Sequence, residues 1–175
     1  MVTVLSLVSI LFLIGVDQIT KIWAATALAQ ANRVISVIDG VFELRYAENP
    51  GVAFSMLEGQ RWIFIPITIL IGSVFFIMLF RSPLRKYKLF VITCVLILAG
   101  AAGNLIDRVA YGYVIDFLYF RLIDFPIFNF ADCCVVIGAG LLFVFVLFVM
   151  EEDDDTPLRT LLLGIEKKSK ENING

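Results

Sequence analysis

Apolar residues in this chain gather in long runs set off by charges. Trp62–Phe80 is uncharged and bounded by Arg61 and Arg81; Leu89–Ile106 is bounded by Lys88 and Asp107; Cys133–Met150 is bounded by Asp132 and Glu151. Each approaches the roughly 20 residues that a helix needs to cross a hydrocarbon layer about 30 Å thick. A fourth run, Val2–Val16, continues through Asp17 toward Ala29. The stretch 33–57 follows a different pattern. Val34, Val37, Val41, Phe42, Leu44 and Tyr46 favour strands and are interrupted by Asp39-Gly40, a hairpin signal, while Asn49-Pro50-Gly51 signals a second turn. The expected fold class is therefore an α-helical membrane protein: four transmembrane helices with a small antiparallel β-sheet on the outer face.

The sides of the membrane follow from charge. The short loop between the second and third spans, residues 81–88, holds Arg81, Arg85, Lys86 and Lys88, which marks it as cytoplasmic. Four spans then place both termini in the cytoplasm and the segments 30–61 and 107–132 outside, with Trp62, Tyr111, Tyr113 and Tyr119 in the outer aromatic belt. Residues 1–150 form one membrane domain with a β-rich outer segment at 30–60, and 151–175 form a polar cytoplasmic tail opening on Glu151–Asp155. The first span could be read as a cleaved signal peptide, since Ala27-Leu28-Ala29 offers a cleavage site. It lacks a basic leading region, however, and Asp17 and Lys21 intervene, so it is expected to stay.

Composition agrees with a lipid environment: 60% of residues are hydrophobic and 17% charged, against about 45–50% and about 25% in soluble domains. Residues 1–150 hold 10 basic and 9 acidic side chains and residues 151–175 hold 4 and 7, giving +1 and −3, so no basic excess points to nucleic acid. The chain has no histidine, which removes imidazole acid–base and metal chemistry. Cys94, Cys133 and Cys134 lack zinc or C-x-x-C spacing and read as small buried hydrophobes. No metal or cofactor is expected.

Ionisable groups at membrane depth are costly and ask for a reason. By the topology above, Asp17, Lys21, Asp107, Arg108, Asp116 and Asp132 collect at the outer rim, with the amides Asn49, Asn104 and Asn129. Each has a bland reading. Asn129 and Asp132 fit a helix cap, Arg108 suits a helix C-terminus, Asp17 and Lys21 can pair four residues apart, and Asp116 can be a surface carboxylate. Jointly they suggest more. Asp116 stands in the apolar run Val114–Tyr119, where desolvation would raise its pKa. The loop from Leu118 to Ala131 contains Pro126 and can fold back on Asp132. Two carboxyls that meet share one proton, as aspartic proteolysis requires. The helix dipole favours ionised Asp132 as general base, leaving Asp116 as proton holder.

At these residues the chain resembles lipoprotein signal peptidase (signal peptidase II). The resemblance rests on Asp17-Gln18-Ile19-Thr20-Lys21, Asn49-Pro50-Gly51-Val52-Ala53-Phe54, Gly103–Arg108, Gly112–Phe117 and Phe128–Asp132, in order across residues 1–150. It implies an aspartic endopeptidase of the bacterial cytoplasmic membrane, working at the outer face. Such an enzyme removes the signal peptide from diacylglyceryl-modified prolipoproteins, cutting just before the lipidated cysteine. The resemblance carries over Asp116 and Asp132 as catalytic residues and Asn49, Gly51, Asn104, Arg108 and Asn129 as residues that line the site and hold substrate. Asp17 and Lys21 support the site. It also implies inhibition by cyclic peptides such as globomycin; membrane lipids are the expected surroundings and a monomer the expected state.

Three other readings compete. A transporter would place ionisable groups at mid-span and show repeats. A Ser–Lys peptidase would use Lys21 with Ser36 or Ser55. A noncatalytic assembly protein would use the acids only as caps.

Overall fold

The computed structural model describes residues 2–29, 33–51 and 61–149. Four long helices dominate it: α1 (Val2–Ala27), α2 (Arg61–Arg81), α3 (Lys88–Ala110) and α4 (Phe130–Val144), the last continued by a π-helical turn, Phe145–Val149. Each is long and apolar enough to cross a membrane. Their outward faces are those of a protein solvated by lipid, with Phe12, Leu70 and Val136 about 70% exposed. The inward faces form a core around Phe90, Cys94, Leu98, Leu79 and Phe145. Cys94 and Cys134 are buried and Cys133 is half-buried. The predicted tail 151–175, the end of the domain at residue 150, and residues 52–60 with Ser55 lie outside the described residues.

Close approach of α3 and α4 depends on missing side chains. A Cβ at Gly100 would stand 2.3 Å from the carbonyl oxygen of Ala131, and one at Gly138 would stand 2.7 Å from Ile97 Cγ1. Small residues of this kind let helix backbones meet inside a bilayer, where apolar burial drives little association.

The sheet has three antiparallel strands in the order β1-β2-β3: β1 (Val34–Ile38), β2 (Phe42–Asn49) and β3 (Val114–Phe120). The hairpin turns at Asp39-Gly40, as its sequence predicts, and Gly40 takes a positive φ of 74°. The third strand comes from the segment after α3, so the sheet ties the two predicted outer segments together. Its register sets Ala47 opposite Asp116 and Asn49 opposite Val114. On the helix side, Phe117 buries against Ala24 and Leu28 at the end of α1. After β3 the chain turns through Arg121–Ile123 and folds back, and Leu118 and Phe128 exchange backbone hydrogen bonds at 2.8 and 3.0 Å. That return delivers Asn129 and α4 beside β3. The first span is held in the same assembly, with Leu28 fully buried.

Candidate active site

The start of α4 follows directly from its sequence. Asn129 is extended and accepts a hydrogen bond from the Asp132 amide at 2.9 Å, while Asp132 Oδ2 accepts from the Asn129 amide at 3.1 Å. This reciprocal capping box satisfies backbone donors that have no partner within the helix. The bland reading of the pair is thus true, and the same two residues also build something larger. Asn129 Nδ2 donates to Asp116 Oδ1 at 2.6 Å and to Asn104 Oδ1 at 3.1 Å. Asn104 Nδ2 donates to Asp132 Oδ1 at 2.7 Å. Asp116 and Asp132 are therefore joined through two amides drawn from α3 and the α4 cap.

Asp116 is not a solvated surface carboxylate: it is 1% exposed. Both its oxygens accept hydrogen bonds, Oδ2 from Asn49 Nδ2 at 2.8 Å and Oδ1 from Asn129. Asn49 reaches it diagonally across the β2–β3 ladder. Burial dominates its titration, lifting the pKa to about 6 against the lowering effect of Asn49; the negative charge of Asp132 raises it further, and Asn129 and Lys21 lower it. Asp132 is half-buried and so more open to water than Asp116.

Beneath the two acids lies a buried ionic cluster. Lys21, 1% exposed, has Nζ 2.9 Å from Asp17 Oδ2, from Asp107 Oδ2 and from Asn104 Oδ1. Three acceptors match the three donors of an ammonium group. Asp17 Oδ1 accepts from the Ala131 amide at 2.9 Å, and Asp107 Oδ2 accepts from the Ile115 amide at 3.0 Å. The cluster consequently fixes α1, α3, β3 and the first turn of α4 relative to one another, and it grips the residues adjoining both Asp116 and Asp132. A Cβ at Gly103 would stand 2.5 Å from Asp17 Oδ2, so the cluster also needs glycine there.

Gln18 and Asp107 complete this cluster. Gln18 Nε2 lies within 3.2 Å of Asp17 Oδ2, Gly103 O and Asp107 Oδ1. The sequence places Asp107 among the rim charges and Gln18 beside Asp17 but assigns neither a part in the site. A signal existed for Asp107: an acid in the last turn of a helix opposes the helix dipole and calls for a cation. Gln18 gave none beyond its place inside the Asp17–Lys21 segment.

Asn49, Gly51 and Arg108 surround the opening. The Gly51 amide donates to Asn49 Oδ1 at 2.9 Å, holding the Asn49 side chain for Asp116. Gly51 has φ +100°, and a Cβ there would come 2.7 Å from Phe64 of α2. Arg108 is half-buried, lies 5.4 Å from the centre of the Phe64 ring, and makes a long 3.4 Å bond to Asn104 O. All nine residues expected from the sequence therefore fall at one end of the bundle. Seven of them are the two acids, their amide partners and the Lys21–Asp17 pair; Gly51 and Arg108 stand at the edge through Asn49 and Asn104. Among the described residues no group of His, Cys, Asp or Glu is arranged to hold a metal.

Such an arrangement can perform general acid–base hydrolysis: a water-accessible carboxylate beside a buried carboxyl with a raised pKa, on a rigid polar floor. Comparison with known proteins bears on that chemistry. The family model described as "Signal peptidase (SPase) II" matches residues 9–148. A lipoprotein signal peptidase of Clostridioides difficile is 44% identical over 140 residues, covering 79% of this chain and 92% of its own. One of Symbiobacterium thermophilum is 41% identical, covering 83% and 95%. Two solved structures of bacterial membrane enzymes superpose with TM-scores of 0.73 and 0.75 at 29% and 32% identity. The first covers 94% of both chains; the second covers 82% of this chain and 92% of its own.

Proposed function

The chain belongs to the signal peptidase II family, and on that premise we propose that Asp116 and Asp132 are the carboxyls with which it cuts the signal peptide from prolipoproteins. It is a membrane enzyme, a peptidase acting on lipoprotein precursors. The observation that supports the dyad is the bridge Asp116–Asn129–Asn104–Asp132, which gives two acids unequal surroundings in one polar site.

In the proposed cycle, ionised Asp132, the wetter of the two and placed in the first turn of α4, takes a proton from water. Protonated Asp116 donates to the scissile carbonyl oxygen as the water oxygen bonds to the carbonyl carbon. Collapse breaks the C–N bond, and the amine leaves with a proton returned from the dyad. The substrate's cut bond must leave helical geometry, and its freed backbone groups cost several kcal/mol each in lipid unless partnered. Arg108 and Asn49 at the opening supply such partners. The ionic cluster around Lys21 acts by position, holding Ile115 and Ala131.

The same reading puts the site at the outer face of the cytoplasmic membrane, both termini and the tail inside, and the cut just before the lipidated cysteine. A single copy suffices, and cyclic peptides of the globomycin type would block the site. The test is substitution of Asp116 or Asp132 by Asn in cells dependent on this chain. Lipid-modified precursor should accumulate while the variants still insert. If either variant processes precursor normally, that acid is structural only and the proposal fails. A Ser–Lys mechanism predicts the reverse pattern, with Lys21→Gln inactive and both Asn variants active.

A further inference from the structure

Phe64, near the start of α2, touches two parts of the substrate opening. Its ring packs against the backbone of Gly51, where a Cβ would come 2.7 Å from Phe64 Cε2 and 3.3 Å from Phe64 Cζ. The guanidinium carbon of Arg108 stands over the same ring, 5.4 Å from its centre. These residues belong to separate parts of the fold: Gly51 follows β2, Phe64 lies in α2, and Arg108 ends α3. Both Phe64 and Arg108 are half-buried. The Gly51 amide also orients Asn49, so one ring meets the supports of both substrate-facing donors.

We propose that Phe64 is a positioning residue for substrate binding: set against Gly51, its ring holds the Arg108 guanidinium at the opening, where it meets carbonyl oxygens of the unwound signal-peptide backbone. The inference rests on the reading of Arg108 as a substrate-binding residue, and not on which acids cut. Arg108 bonds Asn104 O at 3.4 Å, a length at which a hydrogen bond is weak, and that bond takes one of five N–H donors. The aromatic face takes none. A cation–π contact therefore fixes the place of the guanidinium and leaves its donors for the substrate. Arginine is rich in rotamers, and holding it beforehand lowers the cost of ordering it on binding. Phe64 touches no reacting atom, so its effect passes through Arg108 and falls on binding and not on the chemical step.

The test places 3,4,5-trifluorophenylalanine at position 64 of the full chain. Fluorine drains the negative face of the ring and nearly preserves its shape, so packing on Gly51 persists while the cation–π contact weakens. On a lipidated precursor peptide, KM should rise about 5-fold with kcat unchanged, the worth of a partly exposed cation–π contact. Phe64→Leu should raise KM at least as much. In an Arg108→Gln background, whose own KM is raised, fluorination should add nothing. Fluorination that leaves KM unchanged, or that acts equally with and without Arg108, makes Phe64 a packing residue and overturns the proposal. If Arg108→Gln itself leaves KM unchanged, the substrate-binding reading of Arg108 fails and takes this inference with it.

Discussion

The side-chain amide of Asn129 lies 2.6 Å from Asp116 Oδ1, so the residue that caps α4 also holds a buried acid of the neighbouring strand. Its capping partner is the second acid, Asp132. Helix initiation and the joining of the two carboxyls are thus one structural event.

Asp116 has its pKa lifted to about 6, mainly by burial. If it must be protonated to donate to the carbonyl oxygen, kcat/KM should fall as pH rises through about 6, since that ratio reports groups of the free enzyme. Cleavage of a lipidated peptide across pH 4.5–9 measures this. A profile flat through that range contradicts the assignment.

The same shift links stability to pH. A carboxyl whose folded pKa lies above its unfolded value of 3.8 favours folding fully below 3.8, and that contribution is lost as pH rises through about 6. Relative to Asp116→Asn, the wild-type protein should therefore lose about 3 kcal/mol between pH 3.8 and pH 7. Unfolding in detergent at several pH values gives the difference, and a constant gap between the two proteins would refute it.

Lys21 partners two carboxylates and an amide at 1% exposure. Lys21→Met leaves Asp17 and Asp107 buried without their cation, an effect of about 3–5 kcal/mol. A large drop in unfolding temperature should accompany loss of cleavage. A stable, inactive variant would instead give Lys21 a direct role in chemistry.

Gly100→Ala sets a Cβ 2.3 Å from the Ala131 carbonyl, which is backbone and cannot swing away. Forcing α3 from α4 should cost about 1–3 kcal/mol and reduce cleavage by displacing the Asp132 turn. Gly15→Ala is the control, having nothing within 4 Å of the added methyl. Equal behaviour of the two variants in thermal unfolding would contradict the packing account.

Much of this was legible along the chain because it is local. Charge-free runs gave the four helices, Asp39-Gly40 gave the hairpin, and Asn129 with Asp132 gave the cap. The contacts that make the site are long-range, and no local rule reaches them. Asp17 bonds the amide of Ala131, 114 residues away, and β3 joins β2 across 69 residues at Ala47 and Asp116. The likeness to a family bridged that gap for Asp116, Asp132 and the amides. It gave no role to Asp107 and Gln18, whose parts appear only once Lys21 is seen between three acceptors.

The most direct test of the account is the turnover of purified Asp116→Asn and Asp132→Asn proteins on a synthetic lipidated precursor peptide, with unfolding temperatures recorded alongside. Removal of either member of an acid–base pair should lower kcat by about 100-fold or more while the protein stays folded. Turnover within a few-fold of wild type in either folded variant would contradict the claim that these two acids perform the cleavage.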